Sequence, residues 1–219
     1  MGKQQSTSLK IYLAVLLIFG WFALATQFGI NINSGIAAAP EIIVRYFSYF
    51  TITTNLIVAV CCTTLLINPG SRWGDFFSSQ KTLTAVTVYI VIVGIIYNLV
   101  LRFIWNPQGL QMIVDELLHS VIPILFLIYW IIFVSKNQLK WGDILPWLIY
   151  PLVYIIFIFI RGSFSGFYPY PFIDTGKIGL KQALINAVGI AIVFIVMSLL
   201  FVAIGNFINK RKLKTPGSL

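Results

Sequence analysis

Six apolar runs, each of roughly 17–25 residues, fill most of this chain, and a helix needs about 20 such residues to cross a bilayer. Few folds are open to a sequence of that kind. In lipid every backbone N–H and C=O has to be satisfied from within, so runs of this length become helices. The expected spans are 11–28, 42–67, 83–104, 116–134, 144–160 and 183–208. Charged residues make up only 10% of the chain, against about 25% in soluble domains, which is too little to cover a water-facing surface. The predicted fold class is an all-α integral membrane protein. A single transmembrane domain over residues 1–219 forms a six-transmembrane-helix bundle, and 209–219 is a basic cytoplasmic tail.

The breaks between runs carry turn residues: Asn31-Ile32-Asn33-Ser34-Gly35, Asn68-Pro69-Gly70-Ser71 and Asn106-Pro107-Gln108-Gly109. Within the fifth span, Pro146 suits a first helical turn and Pro151 predicts a kink. Ala23-Leu24-Ala25 has the look of a signal cleavage site, but its apolar run is long for a signal peptide, so a retained helix is expected. The net charge of +9 does not point to nucleic acid. Most basic residues flank the apolar runs, where they act as topology signals. With both termini cytoplasmic, ten basic residues fall inside (Lys3, Lys10, Arg72, Lys81, Lys136, Lys140, Lys210, Arg211, Lys212, Lys214). Five fall outside (Arg45, Arg102, Arg161, Lys177, Lys181). The two halves show no repeat of the sort found in many transporters.

One stretch stands out in this apolar background: Asp115-Glu116-Leu117-Leu118-His119-Ser120-Val121-Ile122-Pro123. His119 is the only histidine. On a helix Asp115 precedes it by four residues and Glu116 by three, which puts both carboxylates within reach of the imidazole. Ionisable groups in a membrane are costly and usually functional. The two carboxylates also suit a helix N-terminus at the water interface, and both readings stand.

The other polar residues converge on the same depth. Thr51 lies nine residues into the second span, roughly 13 Å at 1.5 Å per residue. Asn98 lies about 9 Å from the outer end of the third span. Thr53, Thr54 and Asn55 accompany Thr51. On the same side lies a long loop with Tyr168, Tyr170, Phe172 and Asp174, read as an aromatic belt or as a lid over a site. Arg45, Arg102 and Arg161 ring the outer ends, suited to a lipid carboxylate or phosphate and equally to snorkelling. A hydroxyl, an imidazole and a carboxylate are the parts of a nucleophilic hydrolase site. Asn98 or Asn55 would hold an oxyanion. Helix-packing hydrogen bonds account for the same threonines and asparagines in bland terms. One histidine and the adjacent Cys61 and Cys62 make no usual metal site, and no phosphate loop is present, so no metal or cofactor is expected.

Three stretches carry a resemblance. They are Tyr46-Phe47-Ser48-Tyr49-Phe50-Thr51-Ile52-Thr53-Thr54-Asn55-Leu56, Leu118-His119-Ser120-Val121-Ile122-Pro123-Ile124-Leu125, and Tyr170-Pro171-Phe172-Ile173-Asp174 with Gly176 and Gly179. The chain resembles the androgen-induced-gene family of six-span membrane proteins, in a bacterial branch. The resemblance implies an atypical intramembrane threonine hydrolase in a bacterial cell membrane. Thr51 would be the nucleophile and His119 the base, and esters of hydroxy fatty acids the substrates. Thr53 and Thr54 compete for the role of Thr51. The expected partners are the bilayer and a lipid or fatty-acid ester, with no nucleic acid. The alternative is a non-enzymatic protein, a small proton-linked transporter or lipid-binding protein, in which Asp115, Glu116 and His119 form a protonation site.

Overall fold

The apolar runs fold as helices throughout the computed structural model, which describes residues 5–214 and side chains up to Arg211. Lys3 and the end of the basic tail lie outside the described residues and side chains. No strand occurs among the described residues, and six helical segments are long and apolar enough to span a membrane. They cover Thr7–Asn33, Phe50–Ile67, Gln80–Phe103, Leu110–Phe133, Trp141–Ser165 and Leu180–Arg211. The chain clusters into two compact units, the first ending at Val134 and the second beginning at Ser135.

In the first unit, α1 (Thr7–Asn33) starts at Ser6, whose hydroxyl accepts from the Leu9 amide at 3.3 Å. It runs unbroken through Ala23-Leu24-Ala25. The expected second span is not one helix. α2 (Ala39–Phe47) ends at Ser48, Tyr49 is extended, and α3 (Phe50–Ile67) begins anew. Ser48 Oγ donates to Val44 O at 2.6 Å, a back-bond of the kind that bends helices. Thr51 is thereby the second residue of a helix rather than the middle of one. α4 (Arg72–Ser78) is a short connecting helix capped by Ser71. α5 (Gln80–Leu99) continues into one tight turn, Leu101–Phe103.

The fourth span starts six residues earlier than the sequence suggests. α6 (Leu110–Glu116) passes into a wide π turn, Leu117–Val121, and then α7 (Ile122–Phe133). Asp115 is therefore inside the span and 5% exposed, not at a helix N-terminus in water. Leu13, Leu16, Val58, Cys61, Cys62, Ile90, Ile92, Ile122, Phe126 and Trp130 form the buried core of this unit. In lipid such helices associate by close packing and hydrogen bonds rather than by escape from water. Gly20 allows the close approach of α1 to α3, where a Cβ would sit 3.2 Å from Ala59 Cβ. Tyr12 donates to Leu125 O at 2.9 Å and Tyr46 to Leu24 O at 2.8 Å.

In the second unit, α8 (Ile144–Trp147) and α9 (Ile149–Ser165) are separated at Leu148. The break falls before Pro151, not at it. Pro151 then occupies the first turn of α9, where its missing N–H costs no intrahelical bond. α9 ends at Gly166 in the left-handed conformation (φ 66°), which glycine adopts without strain. α10 (Thr175–Ile178) is capped by Asp174. α11 (Leu180–Lys214) runs 35 residues and carries the helix into the segment expected to be a separate tail.

Candidate functional site

The site is built around Pro123. Proline has no N–H, so His119 O, four residues earlier, loses its usual helical donor. The π turn diverts a second donor, because the Ile122 amide reaches Leu117 O, five residues back, and no longer serves Leu118 O. Two side-chain amides from flanking helices meet these two carbonyls. Asn55 Nδ2 on α3 donates to Leu118 O at 3.1 Å, and Asn98 Nδ2 on α5 donates to His119 O at 3.3 Å. Gly94 lets the turn come close to α5, since a Cβ there would lie 3.1 Å from Pro123 Cβ and 3.2 Å from His119 O.

This distorted turn presents His119. Its Nδ1 lies 2.9 Å from Asp115 O and 3.3 Å from Asp115 Oδ1. The side chains of His119 and Asp115 are 12% and 7% exposed. The Asp115 carbonyl can only accept, so Nδ1 is the donor toward it. Asp115 Oδ2 accepts from the Tyr97 hydroxyl. The Tyr97 ring stacks on the imidazole, with centroids 4.1 Å apart and planes 16° from parallel.

Glu116 takes a different partner from Asp115. Arg102 Nη2 lies 2.7 Å and 2.8 Å from its two carboxylate oxygens. Arg102 also reaches Asn98 Oδ1 through Nε at 3.0 Å and Ser120 Oγ at 3.1 Å, and its guanidinium lies 5.1 Å from the Tyr97 ring centre. On the neighbouring face, Gln27 of α1 and Gln111 of α6 exchange amide hydrogen bonds of 3.2 Å and 2.8 Å.

The candidate residues thus fall into separate groups. Asp115, His119, Glu116, Asn98, Asn55 and Arg102 come together around the π turn. Thr51, 6% exposed, is one turn before Asn55 on α3, and its carbonyl accepts from Asn55 Nδ2 at 2.9 Å. The Nδ1 atom of His119 is engaged by Asp115, not by Thr51. Thr53 back-bonds to Phe50 O at 3.2 Å, and Thr54 is fully buried. Asn55 donates to Thr51 O and Leu118 O, while its Oδ1 is buried without a hydrogen-bond partner. Asn98 Nδ2 donates to Gly94 O and His119 O. These amides support the turn, so an oxyanion would have to compete with backbone carbonyls for them. Arg45 pairs with Glu41 at 2.8 Å on α2.

The loop residues belong to the second unit. The Tyr168 ring covers Gly162, where any Cβ would meet it at 2.2 Å, and its hydroxyl accepts from Thr175 Oγ1 at 2.6 Å. Tyr170 and Phe172 stack at 5.2 Å, and Phe172 O accepts from Asn186 Nδ2 at 2.8 Å. Asp174 accepts from the Gly176 and Lys177 amides at 3.1 Å and 3.3 Å.

Sequence reasoning missed Tyr97, Ser120 and Gly94. Tyr97 immediately precedes Asn98, which was visible as a polar residue, but an aromatic in an apolar run gives no signal of its partner. Among the described residues no group of three or more His, Cys, Asp or Glu side chains is placed to hold a metal. Comparison with known proteins finds no matching family model, curated protein or solved structure.

Proposed function

We propose that the protein is an intramembrane hydrolase of lipid or fatty-acid esters, with Thr51 as nucleophile and His119 as base. The observation that carries this reading is the Asp115–His119 pair, in which Nδ1 lies 2.9 Å from Asp115 O and 3.3 Å from Asp115 Oδ1. A buried carboxylate orienting an imidazole in this tautomer is the arrangement that activates hydroxyl nucleophiles. The start of α3 also supports Thr51 over Thr53 and Thr54. Thr51 lies in the first helical turn, where the positive end of the dipole favours a developing alkoxide or oxyanion.

In this mechanism Thr51 Oγ attacks the ester carbonyl while Nε2 of His119 takes the hydroxyl proton. The tetrahedral intermediate collapses, the C–O bond to the alcohol breaks, and the imidazolium returns the proton to the leaving oxygen. Water, deprotonated by Nε2, then attacks the acyl-threonine, the bond from the acyl carbon to Thr51 Oγ breaks, the imidazolium returns its proton to Oγ, and the fatty acid is released. Asp115 offsets the imidazolium charge in both halves, and no cofactor is required. The resemblance to the androgen-induced-gene family supports esters of hydroxy fatty acids as substrates and a bacterial cell membrane as the location. The excess of basic residues beside the termini supports a cytoplasmic position for both ends.

The test is labelling of the detergent-purified protein with a fluorophosphonate, which modifies activated hydroxyls, followed by peptide mass spectrometry. We expect label on Thr51, lost in Thr51→Ala and reduced roughly 100-fold or more in His119→Ala, and retained in Thr53→Ala. A folded protein that takes no label overturns the hydrolase.

The chain of ionisable groups Arg102, Glu116, Tyr97, Asp115 and His119 favours a second reading, a protonation site in a proton-linked transporter or lipid-binding protein. That reading requires His119-dependent lipid movement across, or binding to, proteoliposomes under a pH gradient.

A further inference from the structure

Tyr97 has two attachments to the candidate pair, through different parts of its side chain. Its hydroxyl donates to Asp115 Oδ2, and its ring lies nearly parallel to the His119 imidazole at 4.1 Å. Asp115 Oδ1 is the oxygen toward His119, at 3.3 Å from Nδ1. The hydroxyl thus holds the far oxygen of the carboxylate whose near oxygen orients the imidazole. A carboxylate with one oxygen anchored cannot turn about its Cβ–Cγ bond without breaking that anchor. The stacked phenol in turn limits rotation of the imidazole about its own Cβ–Cγ bond, which would exchange Nδ1 for the ring carbon on that side. Both restraints come from α5, whereas Asp115 and His119 lie on the fourth span. Within the fourth span itself the Asp115 carbonyl, 2.9 Å from Nδ1, holds that nitrogen, and the two restraints from α5 add to it.

Resting on the hydrolase reading, we propose that Tyr97 is the positioning residue of the site. Its hydroxyl holds Asp115 and its ring holds His119, so that Nδ1 stays protonated and Nε2 stays available as the base. Tyr97 donates no proton to the substrate and acts through the two residues it touches.

Because His119 is the only histidine, its ring nitrogens give one set of signals in the full-length protein labelled with 15N-histidine in detergent. Their chemical shifts report which nitrogen carries the proton. Tyr97→Phe keeps the ring and removes the hydroxyl, while Tyr97→Leu removes both. Tyr89→Phe, which deletes the hydroxyl of another tyrosine on α5, is the control.

The wild type is expected to show the proton on Nδ1. Tyr97→Phe should lower the fluorophosphonate labelling rate roughly 10-fold, and Tyr97→Leu roughly 100-fold, with a mixture of tautomers. Tyr89→Phe should match the wild type. Adding Tyr97→Phe to Asp115→Asn should lower labelling no further, since the hydroxyl acts through Asp115. A proton on Nε2 in the wild type overturns the proposal, as does an unchanged tautomer and labelling rate in both Tyr97 variants. If the wild type takes no label but Tyr97→Leu still scrambles the tautomer, the hydrolase reading falls and the positioning of His119 by Tyr97 stands.

Discussion

Asp115 and Glu116 are neighbours in the chain with opposite loyalties, and substitution should separate them. Asp115 faces His119 and Tyr97, while Glu116 faces Arg102, which also reaches Ser120. In Asp115→Asn the main-chain carbonyl still accepts from Nδ1, but the carboxylate charge that offsets the imidazolium is lost. Labelling of Thr51 should fall by roughly 10²–10⁴. Glu116→Gln should change it less than about threefold, because an exposed ion pair contributes little. Side-by-side labelling rates for the two variants check this. Asn55 and Asn98 make a second residue-scale case. Asn55→Leu strands Leu118 O in an apolar setting and removes the bond to Thr51 O. It should destabilise the protein by about 1–2 kcal/mol in a detergent unfolding titration. Asn55→Gln, which keeps the donor on a longer arm, should lose less than Asn55→Leu.

The π turn of the fourth span is the element on which the site depends. It needs a proline to remove one donor, a rotated amide to remove another, two asparagines to replace them, and a glycine opposite. Gly94→Val would push two methyl groups toward Pro123 and His119 O, where even a Cβ is 3.1–3.2 Å away. Backbone and a proline ring cannot move aside, so a cost of about 1–3 kcal/mol is expected, with loss of labelling, measured by thermal unfolding alongside the probe. Gly205→Ala is the contrast. Its Cβ would meet Leu139 Cδ1 at 2.7 Å, the far end of a flexible side chain, with Lys136 Cβ next at 3.5 Å. Near-wild-type thermal stability is expected there. The break between α2 and α3 matters in a similar way, because it converts Thr51 from a mid-helix residue into a first-turn residue.

For the whole molecule, topology is the property most open to direct test. Cys61 and Cys62 are 0% exposed, so the native thiols should react slowly and single introduced cysteines can be read against them. In intact cells, Ser34→Cys and Asn106→Cys should react with a membrane-impermeant maleimide, while Ser78→Cys and Gln138→Cys should react only after lysis. The reverse pattern would place both termini on the outer side. The two compact units add a second whole-molecule feature. The Asp115–His119 pair, both candidate amides and Thr51 all lie in the unit ending at Val134, and the aromatic loop lies in the other. Tyr168→Leu, which leaves Gly162 uncovered, should reduce thermal stability, read by thermal unfolding in detergent.

Much of the plan was legible in the chain itself. Six apolar runs required six helices, because lipid offers the backbone no other partner. His119, Asp115 and Glu116 stood out because charge in an apolar run is expensive, and helical spacing placed the two carboxylates near the imidazole. The breaks at Ser48–Tyr49 and Leu148 were not legible from the positions of glycine and proline alone. They depend on how each segment packs. Spacing also left Asp115 and Glu116 equivalent, and only tertiary structure divided them, by bringing Tyr97 to one and Arg102 to the other. The same holds for Asn55 and Asn98, whose side-chain amides look like oxyanion donors in one dimension. In three dimensions the carbonyls freed by Pro123 and the π turn lie beside them. A sequence records which groups need partners, and the approach of one helix to another decides which partners they receive.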